Sequence, residues 1–163
     1  MRGRRRIPPI AAVMLIGVAA SEYAWPCSCE MSPPEKEFAG ADAVVEAQVL
    51  DVDRGYIRLA WCRIRGFFGA DIYSDDFDAA CGIRATVAVH QRWKGPESTT
   101  VRIATGRDGG DCGVPFQAGE SYLLYLRQVN PSLFATNICV RPLPYEMAAA
   151  DREALSRLTS GGE

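Results

Sequence analysis

The sequence predicts a mainly β fold: a five-stranded Greek-key barrel of the oligonucleotide/oligosaccharide-binding (OB) type, held by disulfides, with a short N-terminal helix and a longer C-terminal helix. Five short apolar segments are separated by turn residues, and helices do not alternate with them as they would in a parallel sheet. The chain of 163 residues is long enough for one domain with a sizeable core. It also carries six cysteines, an even number that suits a disulfide framework.

The first segment, residues 1–20, has the pattern of a signal peptide. A basic head with four arginines precedes an apolar run from Ile7 to Ala20, which ends in small residues. The run is shorter than the roughly 20 apolar residues that a bilayer span needs, although an uncleaved anchor is the alternative. We therefore expect a secreted or periplasmic protein whose barrel domain covers residues 27–159, in a compartment where disulfides form.

The charge of the exported chain limits the classes of partner. Removal of residues 1–20 leaves 14 basic against 20 acidic side chains, a net charge of −6. An acidic protein is a poor match for nucleic acid or for an anionic membrane. We expect no nucleic-acid partner, no membrane partner after signal cleavage and no cofactor, and we expect the protein to be a monomer.

The first predicted elements are a short helix and a strand. Ser32 is the expected N-cap of a helix that has Pro34 in its first turn and ends near Gly40. Residues 43–52 alternate between apolar and polar side chains and predict a strand. The section from 53 to 82 that follows is predicted to be a long irregular loop, which a bridge between Cys62 and Cys81 would close.

Four further strands are predicted behind this loop: residues 83–93, 100–105, 121–126 and 132–139. The strand at 121–126 is apolar on both faces, which indicates a central position. A glycine-rich loop at 106–113 carries Cys112. The tail from 145 to 159 predicts a helix whose apolar face packs on the barrel and consists of Met147, Ala150, Ala154, Leu155 and Leu158.

The stretch Cys27-Ser28-Cys29 is the most informative one. Two cysteines separated by one residue are too close for the usual C-x-x-C zinc knuckle or redox turn. They instead favour an extended tripeptide that is bonded to two separate strands or loops, which makes a stiff and exposed surface. A zinc site built from Cys27, Cys29, Cys112 and Cys139 is the alternative, and it would require reduced thiolates.

Several stretches together resemble one family, the inhibitory domain of the tissue inhibitors of metalloproteinases, together with the related netrin module. The chain resembles the single-domain bacterial forms most, and the matching pieces keep the family's order over most of residues 27–139. They are Cys27-Ser28-Cys29, Phe38 with Ala41-Asp42-Ala43-Val44-Val45, Trp93-Lys94-Gly95-Pro96-Glu97, Cys112-Gly113-Val114, Gly119 before Tyr122-Leu123, and Thr136 before Cys139.

The resemblance implies a specific disulfide pairing. It joins Cys27 to Cys112 and Cys29 to Cys139, which leaves Cys62–Cys81 as an additional local bridge. A further cysteine of the animal proteins corresponds to Ala39 here, so that family bridge is missing.

The resemblance also implies a function, the inhibition of an extracellular zinc metalloprotease. In the family the first cysteine is the mature N-terminus, and its α-amino nitrogen and carbonyl oxygen bind the protease zinc at the position a catalytic zinc keeps open. Cys27 would take this role, and Ser28 would enter the specificity pocket. The implied contact surface, here called the cysteine ridge, consists of Cys27, Ser28, Cys29, Glu30, Cys112 and Gly113.

The sequence departs from the family at the N-terminus. Signal cleavage after Ala20 leaves six residues ahead of Cys27, whose nitrogen would then be an amide and a poor metal ligand. Zinc binding therefore requires further trimming. The alternative is an extracellular netrin-like module that binds proteins or glycans without inhibiting a protease, with the Phe67-Phe68 patch either in contact with a partner or covering the barrel.

An enzymatic function is not expected. His90 is the single histidine, and it is predicted on the polar face of a strand without a catalytic motif around it. The acidic cluster Asp75-Asp76-Phe77-Asp78 lacks the spaced ligand pattern of a calcium loop and is read as a solvated turn.

Overall fold

The computed structural model describes residues 27, 29–67, 81–107 and 111–160. The predicted signal peptide, Ser28, Phe68 and the acidic cluster at 75–78 lie outside these residues. Within them, the elements in chain order are helix α1 (Pro34–Gly40), strand β1 (Ala43–Asp53), helix α2 (Tyr56–Phe67), strands β2 (Ile83–Lys94), β3 (Thr100–Thr105), β4 (Ser121–Asn130), β5 (Leu133–Ala135) and β6 (Leu143–Pro144), and helix α3 (Ala149–Ser160).

Five strands form a closed barrel, which confirms the predicted mainly β fold with its helices and disulfides. The strands pair in the order β1-β2-β3-β5-β4, and β4 pairs back onto β1. The β3–β5 pair is parallel, and the other barrel pairs are antiparallel. The two-residue strand β6 extends the sheet beyond β4. The Greek-key OB type stays a prediction.

Strand β1 joins both sides of the barrel because it bends. Its register against β2 shifts three times, between Val44 and Val45, between Glu46 and Ala47, and between Val49 and Asp51. Such irregularities increase strand twist and curvature. The same strand can therefore pair with β2 along its length and with β4 over residues 43–48.

The core has two layers, because β4 is buried on both faces as its sequence predicts. Tyr122, Leu124 and Leu126 point into the barrel, whereas Leu123 and Tyr125 pack under the helices with Leu155 of α3. The barrel interior is lined by Ala43, Val45, Ala47, Val49, Ala85, Val87, Val101, Ile103, Val114, Phe116, Tyr122, Leu124, Leu126 and Phe134.

The region from 53 to 82 differs most from the prediction. Residues 56–67 form α2, so the interpretation of the whole section as irregular is wrong over these twelve residues. Apolar residues at 57, 61 and 64 have helical spacing, and no proline interrupts the segment. Cys62 and Cys81 do form a disulfide, with Cα atoms 5.9 Å apart.

Several element boundaries also need correction, and β4 continues to Asn130 rather than ending at residue 126. The N-cap of α1 is Pro33, which makes no side-chain hydrogen bond, so Ser32 does not cap the helix. The fifth strand is only Leu133–Ala135, and residues 138–140 form a 3₁₀ turn instead. The tail is a 3₁₀ turn at 145–147 followed by α3. Its buried face carries Asp151, Ala154 and Leu155 rather than Met147, Ala150 and Leu158, which are exposed.

No helix in the described part of the chain is long and apolar enough to cross a membrane.

Candidate functional site

The candidate site is the cysteine ridge, at which three separate segments meet. Cys27 and Cys29 come from the N-terminal segment, Cys112 comes from the loop between β3 and β4, and Cys139 lies in the 3₁₀ turn after β5. Disulfides join Cys27 to Cys112 and Cys29 to Cys139, with Cα atoms 5.5 and 5.1 Å apart. These are the pairs that the resemblance implies.

The two ridge disulfides lie side by side. The sulfur atoms of Cys27, Cys112 and Cys139 all lie within 4.8 Å of one another. Both residues that flank position 28 are thus bonded to the barrel through neighbouring bridges. The thiolates that a zinc site would need are absent because all six cysteines are paired, so the alternative of a four-cysteine zinc site is wrong for this structure.

A backbone hydrogen bond connects the two loops that carry the partner cysteines. The Ile138 N–H donates to the Cys112 carbonyl oxygen at 2.9 Å. The Asn137 side-chain oxygen accepts from the Cys139 N–H at 2.9 Å and caps the 3₁₀ turn. The two loops therefore hold the ridge as one unit rather than as two independent attachment points.

The loop that carries Cys112 depends on two glycines. A Cβ at Gly113 would lie 2.3 Å from the carbonyl oxygen of Gly106, and a Cβ at Gly106 would lie 2.4 Å from the carbonyl oxygen of Asp111. These backbone contacts leave room for glycine alone. Cys112 itself has a φ of 58°, in the left-handed region that few non-glycine residues adopt. The loop is thus folded tightly against itself.

Hydrogen bonds to the barrel fix the base of both loops. The Val114 N–H donates to the buried Thr105 hydroxyl oxygen at 2.9 Å. On the other side, the Thr136 hydroxyl donates to the Tyr125 carbonyl oxygen at 3.1 Å, and its N–H donates to the Ala104 carbonyl oxygen at 3.0 Å. The two loops that carry the ridge are consequently attached to strands β3 and β4.

The described ridge residues differ in accessibility. Glu30 is exposed, and Cys27, Cys29 and Cys112 are partly exposed. Gly113 is buried, so it lies beneath the loop and is not part of the exposed surface. Ser28, which the resemblance places in a protease pocket, lies outside the described residues. His90 is exposed on β2, and Phe67 ends α2, both far from the ridge in the chain.

A buried polar group, which the sequence interpretation missed, supports the segment after the ridge. Asp151 on α3 is only 2% exposed. Its carboxylate accepts from the Arg141 Nε at 2.6 Å, from the second Arg141 guanidinium nitrogen at 2.9 Å and from the Tyr125 hydroxyl at 3.1 Å. We call Tyr125, Arg141 and Asp151 the polar brace.

The electrostatics of the brace follow from its burial. The hydrogen bonds that Arg141 donates to Asp151 raise the pKa of Arg141, and burial followed by the charge of Asp151 raises the pKa of Tyr125. Arg141 has a left-handed φ of 59° and also reaches the Ser32 carbonyl oxygen at 3.5 Å. The brace therefore links α3, β4 and the segment that leads out of the ridge.

One signal in the sequence points to the brace. Asp151 lies three residues before Ala154 and four before Leu155, which places it on the buried face of α3. A carboxylate on a buried face requires a partner, and Arg141 is the nearest cation before it in the chain.

A cleft of about 510 Å³ lies next to the ridge. Its lining includes Cys139 of the ridge. It also includes Arg127 and Gln128 of β4, Thr136 and Asn137. The cleft thus combines a cationic side chain, amide groups and hydroxyl groups beside a disulfide.

No protein-family model matches the chain, and no curated protein matches its sequence.

Proposed function

We propose that the protein is a metalloprotease inhibitor whose cysteine ridge occupies the active-site cleft of an extracellular zinc metalloendopeptidase. The observation that supports this function is the double attachment of the ridge. Residues on both sides of position 28 are bonded to loops that are themselves joined by the Ile138–Cys112 hydrogen bond. A segment ordered before binding loses little conformational entropy when a partner binds it, which favours affinity.

The proposed chemistry depends on the nitrogen of Cys27. If Cys27 is the mature N-terminus, its α-amino nitrogen and carbonyl oxygen complete the coordination of the protease zinc. The amine must be neutral to donate its lone pair, and a free α-amino group has a pKa of about 7.7–8.0. Inhibition should therefore strengthen as the pH rises through this pKa and the fraction of the amine in the ammonium form falls.

The decisive experiment compares two forms of the protein that differ by one residue. One form begins at Cys27, and the other carries one additional alanine before it, so that the Cys27 nitrogen is an amide. We expect the first form to inhibit at least one member of a panel of zinc metalloendopeptidases about 100-fold more strongly. Equal thermal melting of the two forms controls for folding.

The mature start of the exported protein is the second part of this test. N-terminal sequencing and intact mass of the protein recovered from its natural host should show a chain that begins at Cys27. A natural start at Ser21, together with equal inhibition by the two forms, would exclude zinc binding by the amine.

The cleft beside the ridge favours a second candidate function, an extracellular module that binds a peptide or a glycan without inhibiting a protease. Arg127, Gln128 and Asn137 offer hydrogen-bond donors and acceptors there. This function predicts unchanged activity across the protease panel with either form. It also predicts a ligand whose affinity falls when Arg127 is replaced by Ala, whereas inhibition through the ridge amine should not depend on Arg127.

A further inference from the structure

Helix α2 carries an exposed apolar face. Ile57, Trp61 and Ile64 have exposed fractions of 79%, 63% and 50%. Their spacing of four and three residues places them in one row along the helix. Tyr56, at the start of the helix, is 73% exposed. Four large apolar side chains on one short helix form a contiguous exposed patch, and such patches mark interaction surfaces.

The opposite face of the helix is fixed to the barrel. Cys62 is 9% exposed and is bonded to Cys81, which is 4% exposed and lies just before β2. At the N-terminal end, the Arg58 guanidinium pairs with the Asp53 carboxylate at 2.6 Å. The attachment therefore faces inward through Cys62, and the row of Ile57, Trp61 and Ile64 faces outward.

The sequence of this helix is basic, although the chain as a whole has a formal net charge of −2. Residues 54–67 contain four arginines, at 54, 58, 63 and 65, and no acidic residue. Arg54 is exposed, and the guanidinium of Arg107 lies 6.0 Å from the centre of the Tyr56 ring. Arg54 and Arg107 thus bring cationic groups to the N-terminal end of this helix, where Arg58 is paired with Asp53.

We infer that α2 is a membrane-docking helix that lies in the interface of a bilayer with anionic phospholipid headgroups. A helix that begins with a tyrosine, carries an exposed apolar row with a tryptophan and has several arginines in its sequence has the composition of helices that bury one face at the level of the headgroups. The expectation of no membrane partner depends on the net charge, which averages over the acidic remainder of the chain. The inference goes beyond the proposed inhibition and does not depend on it.

The test is co-sedimentation of the whole exported protein with vesicles of phosphatidylcholine alone or of phosphatidylcholine mixed with phosphatidylglycerol. We expect binding to the mixed vesicles, and we expect it to weaken as salt screens the headgroups. Trp61 emission should shift to the blue on binding, and a Trp61→Phe variant should lose this shift.

Variants separate the apolar and the electrostatic contribution. Trp61→Ser combined with Ile64→Ser should bind the mixed vesicles at least about tenfold more weakly, because two apolar side chains that would be transferred from water into the bilayer are removed. Arg54→Gln should bind about fivefold more weakly with a smaller salt dependence. The control is Leu50→Ser with Met147→Ser, which removes exposed apolar side chains, 51% and 70% exposed, from other elements. This control should bind as the parent protein does.

Four results would overturn the inference. Equal affinity for neutral and mixed vesicles would show that anionic headgroups are not recognised. Absence of binding to either kind of vesicle would show that α2 does not dock on membranes. Self-association that Trp61→Ser with Ile64→Ser abolishes, without vesicle binding, would assign the face to a second copy of the chain. Protection of Trp61 from acrylamide in the free protein would show that the chain itself covers the row.

Discussion

The cysteine ridge and helix α2 are both attached by disulfides to the same barrel, but they are attached in different ways. The ridge has two neighbouring bridges that span 85 and 110 residues, and hydrogen bonds to Cys112, Thr105 and Asn137 surround them. Helix α2 has one bridge that spans 19 residues. The ridge bridges link parts of the chain that are far apart in sequence, whereas the α2 bridge links the two ends of the segment between β1 and β2.

The difference indicates two modes of recognition. A surface that is held from both sides and from below favours a partner with a fixed shape, such as an enzyme cleft. An apolar helix that is attached along one face favours a surface without a fixed shape, such as a lipid interface. The two proposals therefore make separate demands on the same fold, and they can be tested separately.

The largest expected effect comes from removal of the disulfides in each region. In the chain-entropy model, the Cys27–Cys112 and Cys29–Cys139 bridges together contribute about 8 kcal/mol, because the second bridge closes an effective loop of only about 30 residues once the first is present. The Cys62–Cys81 bridge contributes about 3 kcal/mol. We expect the variant with serine at all four ridge positions to be unfolded at room temperature, since small domains have about 5–15 kcal/mol in total.

The matched variant replaces Cys62 and Cys81 by serine and should remain folded with a lower melting temperature. Circular dichroism during urea titration measures both variants. If the Cys62–Cys81 variant were the less stable one, α2 rather than the ridge would be the region on which the barrel depends.

A smaller effect is expected from the polar brace below the ridge. Asp151→Ala leaves Arg141 without its carboxylate and Tyr125 without its acceptor. Because Asp151 is 2% exposed and the Arg141 side chain is 24% exposed, we expect a loss of about 2–3 kcal/mol in the free energy of unfolding.

The control for this prediction is on the same helix. Glu153 and Arg157 form an ion pair at 2.7 Å with side chains 74% and 66% exposed. Glu153→Ala should therefore cost no more than about 0.5 kcal/mol. Equal losses for the two variants in urea titration would show that the buried pair has no greater role than a surface pair.

The strands of the barrel were accessible to sequence reasoning because each has one face in the core. In β2, Ile83, Ala85 and Val87 are buried and alternate with less buried side chains, which is the pattern that predicts a half-buried strand. Residues 127–130 of β4 are polar except for Val129 and have no such pattern. They belong to the strand because β5 pairs with them after the turn at Asn130, a tertiary effect that the local sequence does not carry.

Helix α2 was missed for the opposite reason. Its apolar row faces outward and contributes nothing to the core, and the sequence interpretation treated the whole section from 53 to 82 as an irregular loop closed by a Cys62–Cys81 bridge. The fifth strand was predicted too long because Asn137 directs the chain into a 3₁₀ turn by accepting from the Cys139 N–H. Such side-chain hydrogen bonds compete with strand pairing, and they depend on one residue rather than on a pattern.

The candidate site was predictable in part. The Cys-x-Cys spacing predicts an attachment to two separate segments, and the resemblance predicts which cysteines pair. The side-by-side position of the bridges, the close contact of Gly106 with Gly113 and the brace below the ridge are three-dimensional. They require knowledge of the β3–β5 pairing, which no local pattern in a three-residue strand provides.

The smallest expected effect is the alkaline response of the brace. Tyr125 is 1% exposed, and burial together with the Asp151 charge raises the pKa of its hydroxyl above the usual value of about 10. A group with a raised pKa in the folded state contributes its full stability below pH 10 and loses it as the pH rises, because only the unfolded state then releases the proton readily. The free energy of unfolding should therefore fall more steeply above pH 10 in the parent protein than in Tyr125→Phe, measured by urea titration at several pH values.

Tyr122 adds to the same trend, since burial and the hydrogen bond to Glu120 raise its pKa as well. The double variant Tyr122→Phe with Tyr125→Phe should then have the shallowest slope, and parallel slopes for all three proteins would mean that neither buried hydroxyl controls the alkaline limit of the fold.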